Sequence, residues 1–180
     1  MESVPEKTRR VFFALWPDSA ESAALARWQA PLHERCGGTA MRRDTLHCTL
    51  VFLGAVLEHR LEALRLAAQE VAFQPFKIDW EGADYWGHNH IAYAAPAVTP
   101  PELEALVASL QECLRAHRFR FVDRSYKAHV TLLRHAQWTD APLPPMPAVR
   151  WQVRDFVLVQ SKGDAQGARY EVLCRFGGQG

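Results

Sequence analysis

Along the chain, short apolar runs alternate with amphipathic stretches, and the period of the pattern switches between two and three or four residues. Val11 to Trp16, VFFALW, is an apolar run closed by Pro17, which reads as a buried strand. Asp18 and Glu21 then have the spacing of a capping box. Ala20, Ala24, Trp28 and Leu32 recur at every fourth position, so a helix is expected up to Gly37-Gly38, where glycine can take the left-handed terminating conformation. A strand is expected from His47 through VFLG, followed by a helix between Glu58 and Phe73 with Leu61, Leu64, Ala68 and Val71 on one face. FKIDWEGADYW and HIAYAA read as strands joined by a turn around Gly87-His88-Asn89. Thr99-Pro100-Pro101-Glu102 reads as a helix start, with Thr99 as the cap and Leu103, Leu106, Leu110 and Leu114 as the buried stripe. A proline-rich connection, APLPPMP, and the strand-like runs VRWQVRDFVLVQ and ARYEVLCRF complete the chain.

These elements fall into two series of the same kind: strand VFFALW, cap Asp18, His47; then strand IAYAA, cap Thr99, His129. The expected fold is α+β and bilobed, with two pseudosymmetric β-α-β lobes whose antiparallel sheets line a central cleft, within a single domain over residues 1–180. A length of 180 residues, 48% of them hydrophobic, suffices for one sizeable core. A net charge of +1 supplies no field that would gather long nucleic acid nonspecifically, so any nucleic-acid role must rest on a local site. Cys36, Cys48, Cys113 and Cys174 lack C-x-x-C spacing and read as buried thiols in a reducing compartment. The polar N-terminus is followed by too short an apolar run for a signal peptide or a membrane span, so cytoplasmic residence is the expectation.

The chemistry sits in a phrase written twice: His47-Cys48-Thr49-Leu50 and His129-Val130-Thr131-Leu132. Random placement of this composition would give about 0.03 copies of His-x-Thr-Leu. On a strand, His47 and Thr49 share one face and Cys48 and Leu50 the other, and the second copy repeats the arrangement. Pseudosymmetric neighbours would then open both His-Thr pairs into one cleft. Two imidazoles and two hydroxyls suit the in-line opening of a cyclic phosphodiester by water. One neutral imidazole takes the water proton, and a protonated one on the opposite side gives a proton to the departing ribose oxygen. The threonines and Arg134, five residues beyond His129, can hold the phosphate oxygens. The pseudosymmetry leaves the acid and base roles interchangeable.

TLHCTLVFLG and RSYKAHVTLLR, together with RVFFAL and LVQSKGDAQGARYEVLCRF, resemble the two-histidine phosphoesterase superfamily, and within it the RNA 2',3'-cyclic phosphodiesterases once described as 2'-5' RNA ligases. The resemblance implies His47 as general acid toward the ribose O3', His129 as general base for water, Thr49 and Thr131 as phosphate clamps, and a 2'-phosphate product made without metal or other cofactor. It also implies RNA with a cyclic phosphate end, or a cyclic nucleotide, as the partner. Ala128 stands where the family commonly has proline before the second histidine.

Other candidates carry less. His88-Asn89-His90 has a metal-like spacing but no third ligand near it in the sequence. Of Trp80, Tyr85, Trp86 and Tyr93, one could stack on a base, and the rest read as core. Arg42, Arg43, Arg124 and Lys127 flank the motifs and could hold phosphates of a longer RNA. The alternative functions are 2'-5' ligation, in which an RNA 5'-hydroxyl replaces the water, and a non-catalytic RNA-end binding module. Nothing in the sequence demands more than a monomer.

Overall fold

The computed structural model describes residues 3–137, 139–164 and 167–177. Ala165 and Gln166, within the last stretch quoted above, lie outside the described residues. Strand β1 (Thr8–Leu15) is followed by helices α1 (Ser19–Ala26) and α2 (Gln29–Cys36), the short strand β2 (Thr39–Ala40), and β3 (Cys48–Leu57). Helix α3 (Leu61–Gln69) leads to β4 (Phe76–Trp80), β5 (Gly82–Trp86) and β6 (Ile91–Ala95). Helix α4 (Pro101–Ala116) leads to β7 (Val130–Arg134), β8 (Val149–Val153), β9 (Asp155–Asp164) and β10 (Gly167–Gly177). The strands form a four-stranded sheet in the order β10-β9-β1-β3, a second in the order β2-β7-β6-β5, and a two-stranded β4-β8 sheet, with every pairing antiparallel.

The expected α+β layout of paired units is present, with β1 beside β3 and β6 beside β7. The helices cross between the units. Helix α4, from the second unit, packs against β3 of the first sheet and against α3, whereas α2, from the first unit, packs against β7 and β2 of the second. Each unit thus lends its helix to the other unit's sheet.

Single prolines explain two departures from the expected elements. The helix expected over residues 18 to 37 is two helices, broken at Arg27-Trp28, because Pro31 in an unbroken helix would have no N–H for the Arg27 carbonyl and its ring would clash with it. The inward face shifts accordingly: Leu25, Trp28, Leu32 and Cys36 are buried while Ala20 is exposed. Thr99 is not the cap of α4. Pro100 is, because a residue preceding proline is driven out of the helical region, and Pro100 holds φ −58, ψ 136 before Pro101. With that correction the cap-to-histidine separation is 29 residues in both units, Asp18 to His47 and Pro100 to His129. The Asp18 capping box forms as expected, with Asp18 Oδ1 accepting from the Glu21 N–H at 2.7 Å and Glu21 Oε1 from the Asp18 N–H at 2.9 Å.

Two runs that read as continuous strands change sheet at one residue. FKIDWEGADYW breaks at Glu81 between β4 and β5, and VRWQVRDFVLVQ breaks at Arg154 between β8 and β9. The main core runs through both large sheets and all four helices, and Trp80 and Trp151 close it beneath the small sheet with rings 5.1 Å apart. A separate apolar cluster of Phe12, Ala14, Val157 and Val159, with Trp16, Phe52 and Tyr170 against it, covers the other face of the first sheet.

Candidate active site

Each His-x-Thr motif begins one residue before a strand, His47 ahead of β3 and His129 ahead of β7. The period-two alternation holds. Cys48, Leu50, Val130 and Leu132 are buried, while His47, Thr49, His129 and Thr131 are half-buried and line a common cleft. That cleft has two basins, one of about 320 Å³ on the His47 side and one of about 1040 Å³ beyond His129. Thr49, Thr131, His129, Arg134 and Phe52 line both. The five expected site residues are therefore brought together, and no Asp or Glu is among the lining residues of either basin.

The two imidazoles are held alike. The Nδ1–H of His47 donates to the Thr45 carbonyl at 2.7 Å, and that of His129 to the Lys127 carbonyl at 2.9 Å, in both cases two residues upstream. A carbonyl can only accept, so in each neutral ring Nε2 is the bare nitrogen. On His47 it accepts from the Thr49 hydroxyl at 3.1 Å. Burial lowers His47 to about 4, against the Thr45 hydrogen bond and with help from the charges of His129 and Arg134. Burial also lowers His129; the Lys127 carbonyl opposes that, and the Lys127 ammonium adds to it.

The surroundings of the two rings differ. Trp16 stacks on His47 at 5.0 Å and 4°, with Phe12 at 5.1 Å and Tyr170 edge-on at 5.2 Å. His129 meets Trp86 edge-on at 4.6 Å and Tyr93 at 5.8 Å, and the ammonium of Lys127 lies over both of those rings while donating to the Tyr93 hydroxyl at 2.8 Å. The motifs are also joined through Cys48. Its sulfur lies 3.4 Å from the hydroxyl of Tyr126, three residues before His129, and that hydroxyl donates to the Thr49 carbonyl at 3.1 Å. Burial pushes the Cys48 thiol up to about 11, so this link is a neutral thiol.

Residues 15–93 match the family described as LigT like Phosphoesterase. An RNA 2',3'-cyclic phosphodiesterase of Thermus thermophilus is 31% identical over 93% of this chain and 89% of its own length. The chain belongs to the LigT-like phosphoesterases. An RNA 2',3'-cyclic phosphodiesterase of Escherichia coli is 28% identical over 93% of this chain and 96% of its own length. The crystal structure of E. coli LigT complexed with 3'-AMP superposes with a TM-score of 0.84 at 25% identity, covering 97% of this chain and 100% of the other.

In this LigT-like chain the secondary candidates separate. Arg124, Lys127 and Trp86 line the larger basin; Trp80 and Tyr93 are fully buried, and the Tyr85 hydroxyl bonds His90 Nδ1 at 3.0 Å. Arg43 is engaged by Ser19 and Ser22 of α1, and Arg42 donates to the Ala168 carbonyl at 2.9 Å. His88 lines the larger basin, and among the described residues no three His, Cys, Asp or Glu side chains are grouped to hold a metal ion. Sequence reading missed Phe12, Phe52 and Tyr170 in the walls of the His47 basin, Arg10 and Ser161 on its floor, and Trp16 stacked on the His47 ring. Phe12 and Trp16 bear a weak signal, since they sit on alternate positions of an otherwise core-like run. Tyr170 bears none, because it reaches His47 only through the strand order β10-β9-β1-β3.

Proposed function

We propose that this chain hydrolyses the 2',3'-cyclic phosphate end of RNA, or a nucleoside 2',3'-cyclic phosphate, to the 2'-phosphate without a metal ion. The observation that carries the reading is the pair of imidazoles at one cleft, each with Nδ1 engaged by a carbonyl and Nε2 left for proton transfer. The similar E. coli and Thermus proteins are RNA 2',3'-cyclic phosphodiesterases, which supports the same activity here. The LigT complex with 3'-AMP supports a nucleotide in this cleft.

In the proposed step His129 Nε2 takes a proton from water as its oxygen bonds to phosphorus. The P–O3' bond breaks in line, and His47, protonated in the substrate complex, gives its Nε2 proton to O3'. Phosphorus stays on O2'. Thr49, Thr131 and Arg134 donate hydrogen bonds to the non-bridging oxygens, whose charge grows in the transition state. Burial disfavours the charged form of both rings, so the substrate's own negative charge is what makes the acid form of His47 accessible. Four free cysteines support a cytoplasmic setting.

The test is turnover of cytidine 2',3'-cyclic phosphate in EDTA by wild type, His47→Ala and His129→Ala. The expected result is exclusive 2'-phosphate, reduced about a thousandfold by either substitution. A 3'-phosphate product would move the leaving group from O3' to O2', and undiminished activity in either variant would remove the paired-imidazole mechanism. Inactivity of wild type here and on an RNA bearing the same end would remove the enzyme reading itself.

A further inference from the structure

We propose that Arg10 and Ser161, on the floor of the His47 basin, hold the phosphodiester that joins the terminal nucleotide to the one before it. RNA would then leave the site over the first sheet and not through the larger basin. The inference rests on the assignment of His47 as the acid. In-line opening places the departing O3' opposite the attacking water, and the ribose that carries O3' must lie on the side of the acid. The terminal nucleoside therefore occupies the basin of about 320 Å³, and the chain continues from its 5' oxygen.

Strand register builds this floor. Ser161 lies directly opposite Arg10 on β1 and Tyr170 on β10, so the three side chains form one row on the face that lines the basin. The adjacent row holds Phe12, whose ring is 5.1 Å from His47. Arg10 is two residues before Phe12, about 7 Å along the strand, one step beyond that ring and at the far end of the row from Tyr170, which meets His47 at 5.2 Å. Its guanidinium lies over the Phe52 ring at 4.8 Å, and Phe52 lines both basins. Arg9, on the opposite face, is engaged by Glu58 at 3.1 Å. Apart from the shared Arg134, Arg10 is the cation among the lining residues of this basin, where the Ser161 hydroxyl beside it is a second donor and no carboxylate competes for it. In the larger basin Lys127 is held on the Tyr93 hydroxyl and over two rings beside His129, which leaves Arg124 as the rival cation.

The experiment compares cytidine 2',3'-cyclic phosphate with the dinucleotide CpC ending in the same cyclic phosphate, for wild type, Arg10→Ala, Arg10→Lys and Arg124→Ala. Arg10→Ala should raise KM for the dinucleotide about tenfold, the loss of one charge-assisted contact. The mononucleotide KM and both kcat values should hold, and Arg10→Lys should recover part of the loss. Equal effects on the two substrates, or a dinucleotide-selective effect in Arg124→Ala instead, would overturn the subsite while leaving the hydrolase reading intact. Absence of wild-type turnover on both would overturn the two together.

Discussion

At the scale of single residues, the site is built from two copies of one device, and Lys127 is what makes them unequal. Its carbonyl anchors His129 as the Thr45 carbonyl anchors His47, but its ammonium, held over Trp86 and Tyr93, makes protonation of His129 harder. Around that imidazole stand His47 from the β3 side, Arg134 at the end of β7, Arg124 before the motif, and His88 in the turn that carries Trp86. A general base must be neutral, so activity falls as pH drops through its pKa. Lys127→Met keeps the carbonyl and the apolar stem and removes only the ammonium, which raises the pKa of His129. The acidic limb of the kcat profile, which reports the substrate complex in which His47 is protonated, should move to higher pH while the alkaline limb stays. An unmoved acidic limb would assign the base role elsewhere. His47, Thr49, His129, Thr131 and Arg134 were legible because strand alternation needs only adjacent residues. The aromatic neighbours were not, because Trp16 meets the imidazole only once β1 has paired with β3, and Tyr170 only once β10, β9 and β1 have paired in turn.

At the scale of elements, the arginine of the site depends on a glycine two elements away. Gly37 and Gly38 end α2 with φ of +63 and +89, and β2 then pairs Thr39 with Arg134. A Cβ on Gly38 would meet the Arg134 carbonyl and come within 3.0 Å of the Ala136 nitrogen, whereas one on Gly37 would meet nothing within 4 Å. Either alanine incurs the left-handed backbone strain, about 1 kcal/mol or more. Only Gly38→Ala should also displace the end of β7, and with it Arg134. Both variants should lower Tm, and Gly38→Ala alone should raise KM for the cyclic phosphate severalfold. Equal KM values would mean that the close approach does not position Arg134. The glycine pair was legible as a helix stop, since a left-handed terminus is a local demand. Its second use was not, because nothing local to Gly38 says which strand runs beneath it. The early break of the helix at Pro31 and the cap at Pro100 follow from proline sterics alone and lay within reach of the sequence.

At the scale of the whole molecule, the duplication is not one of separable halves. Two β-α-β units of equal span do not say which sheet each helix covers, because a helix can cover any sheet whose apolar face it fits and period alone does not choose between them. Here α4 lies on the first sheet and α2 on the second, so the apolar face of each sheet is buried only when both units are folded. We propose on this ground that the chain unfolds as one cooperative unit. Leu110, fully buried on α4, provides the probe. Leu110→Ala should cost about 3 kcal/mol, or about 10 °C in Tm for a chain of this size. Tryptophan fluorescence and far-UV circular dichroism should report the same single transition in the variant and in wild type. If the units were independent, the variant would melt in two steps, with one retained near the wild-type temperature. The interlock also bears on the chemistry, because His47 and His129 come from different units and the Cys48 sulfur beside His47 lies 3.4 Å from the hydroxyl of Tyr126, three residues before His129. A loosening of either unit therefore changes the separation of the two imidazoles, and Leu110→Ala should lose kcat before it loses fold as temperature rises.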